Sequence, residues 1–476
     1  MVHIHRLIQN TVIARAHCEY ELEGTLMKGW SIGCAARLGL VMLLSLVPTT
    51  TPAAGRMAAQ TSGVRQPLAA GADAHTMSPA SATAALRPST SGSSKDATDL
   101  AGIKTFYEAG LKRNGIVGSG LMLIRGGRLV GSDFQGYARL SLRQAVTKNT
   151  TFHWASITKT LTAIAILQLR DRGFLKLDDP AVKYVPELSA VHDPWGAVDA
   201  ITIRNLLTHS GGFRSATWPW GGDQDWQPFE PTRWSQIVAM LPYTEILFKP
   251  GSRFSYSNLG FVLLGQIIER LTGDDYEVYV DKNVLKPLEM YQSYFDRSPY
   301  HLLKYLSGSY TISGGKLTEQ RFNFDTGITV SNSGLNSPLP DMVKYMKFLL
   351  GDTERSEAYD EVLKRSSLKE MFQPELRITS RDASNPNGPD EHDSVGLSCF
   401  IREDGGRTFV GHGGNQNGFI SHFYLEPETR SAYVVNFNTD ASDRNQNTAR
   451  FDRELRDYLF ANFFPRYETR AAATVR

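Results

Sequence analysis

The stretch ASITKTLTAIAILQLRDRG, residues 155–173, is apolar on most of its faces at helical spacing and stops at Gly173. A helix that is apolar nearly all round belongs in the interior of a large domain. Its first turn nevertheless carries Ser156 and, three residues on, Lys159. Side chains at i and i+3 share a helix face, about 5–6 Å apart at Cβ, so the hydroxyl and the amine can meet. A serine hydroxyl becomes a nucleophile when a base removes its proton, and a neutral lysine amine is such a base. Burial and the positive end of the helix dipole both disfavour the ammonium form. Ser156 also suits the plainer role of helix cap, whereas a cation in the first turn opposes the dipole.

Outward from this helix the pattern alternates. Upstream, DLAGIKTFYEAGLKRNG (99–115) spaces Leu100, Ile103, Phe106 and Leu111 as a helix ending at Gly115. LMLIRGG (121–127) and RLVGSDFQGYA (128–138) read as a hairpin turning on the glycine pair. Downstream, ITIRNLLTHSGG (201–212) is a short helix running into a glycine turn, and NLGFVLLGQIIERLTG (258–273) is a second buried helix capped by Gly273. A loop bearing Trp218, Trp220, Trp226 and Trp234 lies between them. RTFVGHGG (407–414) and NGFISHFYLEPETRSAYVVNFN (417–438) read as strands with a turn near Pro427, and TARFDRELRDYLFANFF (448–464) as an amphipathic helix. The expected class is mixed α/β (α+β): an antiparallel sheet built by the two ends of the chain, flanked by helices, with a helical region inserted between them.

Two further clusters carry chemistry. In FSYSN (254–258), Tyr256 and Asn258 are two apart and face one way if the stretch is extended. A phenol near a lysine can serve as a base or return a proton to a leaving group, and an amide both donates and accepts. Alone, the pair also fits a core tyrosine and an asparagine cap. His412-Gly413-Gly414 lies at a strand end, where glycines let the backbone approach a ligand and a histidine can donate or shuttle protons. The same residues fit a glycine-rich hairpin with an incidental histidine. His412 and His422 lack the carboxylate motif and spacing of a metal site.

Composition bounds the rest. The chain has 476 residues with 51 Lys+Arg against 49 Asp+Glu, a balance without the concentrated basic face that nucleic acid requires. The 41% hydrophobic content supports a substantial core. Of three cysteines only Cys399 lies beyond residue 34, so neither a disulfide framework nor a cysteine cluster is available there; Cys399 reads as a small core residue. Leu38–Val47 (LGLVMLLSLV) is too short for a bilayer span of roughly twenty residues. With Lys28 and Arg37 before it and Pro48 and small residues after it, it reads as a signal peptide within residues 1–55, beginning near Met27. Residues 56–98, rich in Ala, Ser, Thr, Gly and Pro, read as a disordered tether. The folded domain is expected over 99–465, with a short tail at 466–476. After signal removal the expected setting is outside the cytoplasm, periplasmic or secreted, without stable membrane insertion.

In order, Ser-x-x-Lys (156–159), Tyr-x-Asn (256–258) and His-x-Gly (412–414) resemble the three motifs of the serine β-lactamase and penicillin-binding-protein superfamily. RGFLKLDDPAVKYVPEL (172–188), ITIRNLLTHSGGF (201–213) and SNLGFVLLGQIIERLTGDDYEVYVDKNVLKPLEM (257–290) look like it too, so the resemblance spans roughly 99–465. The tyrosine in the second motif resembles the class C β-lactamase and low-molecular-weight D,D-peptidase branch. The resemblance implies a β-lactamase/transpeptidase-like fold and an acyl-enzyme on Ser156, with proton transfers shared by Lys159 and Tyr256. It implies that Asn258 orients substrate and Lys159, and that the backbone amides of Ser156 and Asn415 form the oxyanion hole beside His412, Gly413 and Gly414. No metal or organic cofactor is implied, and the partner is a small-molecule or peptide substrate. One departure matters: β-lactamases carry Lys-Thr-Gly in the third motif, and a lysine suits a carboxylate better than a largely neutral histidine. Members with His-x-Gly include D-amino-acid peptidases, mitochondrial-type β-lactamase-like proteins and esterases. The expected order is therefore peptidase or amidase on D-amino-acid substrates, then carboxylesterase, then β-lactamase, with a non-turnover penicillin- or peptide-binding protein as the alternative of another class. The tryptophan loop either roofs the pocket or simply packs.

Overall fold

The computed structural model describes residues 94–464 apart from 197, 215–230, 321–324, 353–354 and 380–393. The proposed signal segment, most of the tether, Trp218, Trp220, Trp226 and the tail lie outside the described residues. Among the described residues no helix is long and apolar enough to cross a membrane.

Six helices frame the site: α1 (Ser94–Arg113), α2 (Thr158–Asp171), α3 (Asn258–Thr272), α4 (Val330–Ser333), α5 (Leu339–Leu350) and α6 (Thr448–Asn462). α1 opens five residues before the expected boundary at Asp99, because its first turn is polar and carries no apolar periodicity to read. Shorter helices, among them Ile203–Leu207 and Trp234–Met240, fill the connections.

Nine strands form the main sheet: β1 (Gly118–Arg125), β2 (Arg128–Arg139), β3 (Gln144–Ala145), β4 (Leu376–Arg377), β5 (Ser394–Val395), β6 (Phe400–Asp404), β7 (Arg407–Gln416), β8 (Phe419–Glu426) and β9 (Ser431–Phe437). Their order is β3-β2-β1-β9-β8-β7-β6-β5-β4, antiparallel throughout. The β1–β2 hairpin turns on Gly126 (φ +57°) and Gly127 (φ +78°), the pair of positive φ angles that a type I′ turn needs. The first and last strands of this sheet in sequence pair within it, where Met122 of β1 faces Val434 of β9.

Both faces of the sheet are covered, and strand alternation divides the residues between them. Leu121 and Leu123 of β1, with Tyr433, Val435 and Phe437 of β9, pack against Ile103, Tyr107 and Leu111 of α1 and Phe451, Leu455 and Leu459 of α6. Met122 and Ile124, with Ala432 and Val434, face the larger core built by α2, α3 and α5. The inserted region is not wholly helical. It contributes two strands, Ser309–Ser313 and Lys316–Gln320, to a small sheet with Thr439–Ala441, and forms a second from Thr151–His153, Tyr294–Phe295 and Leu335–Pro338. These strands are two to five residues long, too short to show a period of two. Cys399 is buried, and burial raises its thiol far above the ordinary value.

Candidate active site

Ser156 lies in a 3₁₀ turn, Ala155–Ile157, that leads into α2. Ala155 holds φ +47°, a conformation costly for a residue with a Cβ and often found next to functional groups. The Ser156 hydroxyl does not cap the helix. Lys159 Nζ donates to it at 3.1 Å and to the Asn332 carbonyl of α4 at 3.1 Å. The i, i+3 spacing therefore does bring the two groups together. Lys159 is fully buried, while Ser156 keeps a partly open face.

Tyr256 joins them. Its hydroxyl is hydrogen-bonded with Ser156, and Lys159 Nζ lies 4.9 Å from the centroid of its ring. Burial raises the phenol well above its usual range and the bond to Ser156 offsets only part of that, so Tyr256 keeps its proton at neutral pH. Ser255 and Ser257 fix the flanking backbone: Ser255 Oγ donates to the Phe213 carbonyl at 2.9 Å, and Ser257 Oγ accepts from Gly260 N at 3.1 Å. Ser257 is thus the N-cap of α3, and Asn258 is the first residue inside the helix rather than its cap.

The third motif comes from β7. His412 shares the face of Val410, toward the inserted region. It is buried, and its Nδ1 donates to the Gly413 carbonyl at 2.6 Å. Burial above all pushes this imidazole down to about 3, so it is neutral at physiological pH. A Cβ on Gly414 would lie 2.3 Å from the Trp154 carbonyl and 3.2 Å from Ala155 Cβ; only glycine lets β7 pass this close to the turn that carries Ser156. Asn415 follows with an exposed side chain that bonds Asp440. The β6–β7 ladder ends at Phe400–Gly411, whereas β7 runs on to Gln416. His422 sits opposite Gly413 and points to the other face, where its Nδ1 bonds Asp452 Oδ2 of α6 at 2.8 Å. Among the described residues no group of three or more His, Cys, Asp or Glu side chains could hold a metal ion.

Two participants carried no signal in the sequence. The Asn332 contact uses a backbone carbonyl, which any residue would supply. His209, in the THSGG stretch, stacks on Tyr256 with ring centroids 4.3 Å apart, and its place follows only from the path of the chain.

A family model described as Beta-lactamase matches residues 103–457. The chain belongs to the beta-lactamase family. Within that family, Protein flp of Staphylococcus aureus is 26% identical over 333 residues, covering 70% of this chain and 62% of that protein. The chain thus spans less than two thirds of the length of these curated relatives. A penicillin-binding protein homologue of Pyrococcus abyssi, octameric by its description, superposes with a TM-score of 0.64 at 26% identity, covering 76% of this chain and 78% of that one. A D-stereospecific amidohydrolase from Streptomyces sp. superposes with a TM-score of 0.57 at 24% identity, covering 77% and 98%, and shares the β-lactamase/transpeptidase-like fold.

Proposed function

We propose that the protein is a serine hydrolase that cleaves an amide or ester bond through an acyl-enzyme on Ser156. The observation that carries this reading is the 3.1 Å contact between Lys159 Nζ and Ser156 Oγ, with the Tyr256 phenol on the same hydroxyl. In the scheme, unprotonated Lys159 takes the serine proton as Oγ attacks the carbonyl carbon. The backbone amides of Ser156 and Asn415 receive the oxyanion. Tyr256, protonated at rest, gives its proton to the leaving group and recovers it through Lys159. Asn258 orients the substrate and Lys159. Nucleophile, base, acid and oxyanion donors all come from the chain, so the scheme calls on no metal or organic cofactor.

The substrate class follows from His412. A buried neutral imidazole offers no point charge to a carboxylate, which disfavours penicillins and favours acyl groups without a free carboxylate at that subsite. The stretch of β7 beyond β6 can pair with an extended peptide, and an amidohydrolase of D-stereospecific action shares the fold. These features support amides of D-amino acids first and carboxylic esters second. The flanked apolar run at Leu38–Val47 supports an exported protein.

Intact-mass measurement after a fluorophosphonate and after a penicillin tests the scheme. One phosphonyl adduct on the native chain and none on Ser156→Ala is expected; an unlabelled native chain would remove the proposal. A penicillin adduct that persists while no amide or ester is turned over would make the protein a non-turnover binder instead. Lys159→Ala and Tyr256→Phe should each lower kcat by about 10²–10⁴ with little change in KM, since both act on the proton in flight.

A further inference from the structure

We propose that His209 is a positioning residue that holds Tyr256 in register with Ser156 and Lys159, an inference that rests on the hydrolase reading above. His209 follows the short helix Ile203–Leu207, whose start is fixed by a capping box between Thr202 and Asn205. It adopts φ +53°, uncommon for a residue with a side chain. From there it grips the chain on both sides of Tyr256. Its backbone carbonyl accepts from Ser255 N at 2.8 Å, and its Nδ1 accepts from Ser257 N at 3.0 Å. Between these two bonds its ring lies on the Tyr256 ring, with centroids 4.3 Å apart and planes at 27°. Phe261 and Phe254 close the other sides, at 5.0 and 5.7 Å.

The polarity of the ring argues that this place is not mere filling. Because Nδ1 accepts, a neutral ring carries its proton on Nε2, and that nitrogen is buried with no hydrogen-bond partner among the described residues. A buried donor left unpaired is unfavourable, and phenylalanine would fill the same space without it. Imidazole alone combines a flat face for the Tyr256 ring with an acceptor on its edge for the Ser257 amide. Protonating Nδ1 would break the second bond. Burial, the largest influence on this ring, holds it in the neutral form that keeps the bond. The contacts of His209 run to Tyr256 and to the backbone on either side of it, so its effect passes through the phenol.

The test compares the maximal rate of Ser156 phosphonylation by a fluorophosphonate in the native chain, His209→Asn, Tyr256→Phe and the double variant. Asparagine tolerates a positive φ and supplies an acceptor, so the variant removes chiefly the stacked ring. His209→Asn should lower the maximal rate about ten- to a hundredfold without changing the half-saturating concentration. In the Tyr256→Phe background the same substitution should change the rate less than about twofold, since there is no phenol left to place. An unchanged rate in His209→Asn, or an equal loss in both backgrounds, overturns the positioning role. Failure to label the native chain instead defeats the hydrolase reading. A second measurement needs no variant: nitrogen NMR of ¹⁵N-histidine-labelled protein should show a neutral His209 ring protonated on Nε2 from pH 5.5 to 8. A ring that takes up a proton near its ordinary value overturns the inference.

Discussion

Gly413 and Gly414 are neighbours on β7, yet a side chain would meet different surroundings at each. At 414 a Cβ would be 2.3 Å from a backbone carbonyl and 2.6 Å from Ser421 Oγ, whereas at 413 nothing lies nearer than 3.6 Å. Gly414→Ala must therefore push β7 away from Trp154 and Ala155, carrying Asn415 with it. The expected result is a loss of about 1–3 kcal/mol in stability and at least about a tenfold drop in fluorophosphonate labelling of Ser156. Gly413→Ala should change stability by less than about 0.5 kcal/mol and label normally. Urea unfolding and labelling kinetics on the two variants check this, and equal behaviour would refute the close approach at 414. The glycine pair was legible as a place where backbone comes close to something; which glycine does so depends on the phase of β7 against a turn more than 250 residues earlier. Ser156 and Lys159 were legible for the opposite reason. Their contact is local and follows from helix geometry alone.

Helices α3 and α4 cross so closely that a Cβ on Gly265 would sit 2.4 Å from Ser331 Oγ and 2.5 Å from Ser331 Cβ. Ser331 Oγ donates to the Phe261 carbonyl of α3 at 2.9 Å, locking the crossing, and the next residue of α4 presents its carbonyl to Lys159. Alanine at 265 would gain about 1 kcal/mol in helix propensity but lose about 1–3 kcal/mol to overpacking, so a net destabilisation is expected. The displaced Asn332 carbonyl should also slow turnover, although no side chain of the proposed machinery has changed. Adding Ser331→Gly restores the clearance and should recover part of the rate; a double variant no faster than Gly265→Ala would show that the crossing does not set the position of Asn332. The sequence marked α3 and its stop at Gly273 clearly, because fifteen residues carry a readable period. It could not mark α4, a four-residue helix whose role is to offer a backbone oxygen.

With β1 and β9 paired at the centre of the sheet and helices on both faces, polar groups near the site are sealed from water, and their protonation is linked to folding. Burial lowers the pKa of His153, of His209 and of His412, the last to about 3 against an ordinary 6.5. For each, the unfolded chain binds a proton below about pH 6.5 that the folded chain refuses. The stability these rings contribute is therefore complete above pH 6.5 and is lost as pH falls toward the folded values, at up to about 1.4 kcal/mol per pH unit for each. Asp296 works the other way. Burial raises its carboxyl from 3.8 to about 7 and Asp325 adds repulsion, while the bond donated by Thr326 Oγ1 offsets only part of this, so between those values the folded chain holds a proton that the unfolded chain has released. Acidification from pH 7 regains stability through Asp296 while losing it through three histidines. The net expectation is a decline in urea-unfolding free energy from pH 7.5 to 5. His412→Asn should make that decline shallower and Asp296→Asn should make it steeper, since each removes one proton from opposite sides of the balance. A profile that stays level in the native chain, or variants that leave its slope unchanged, would mean that these groups titrate alike in the folded and unfolded chain.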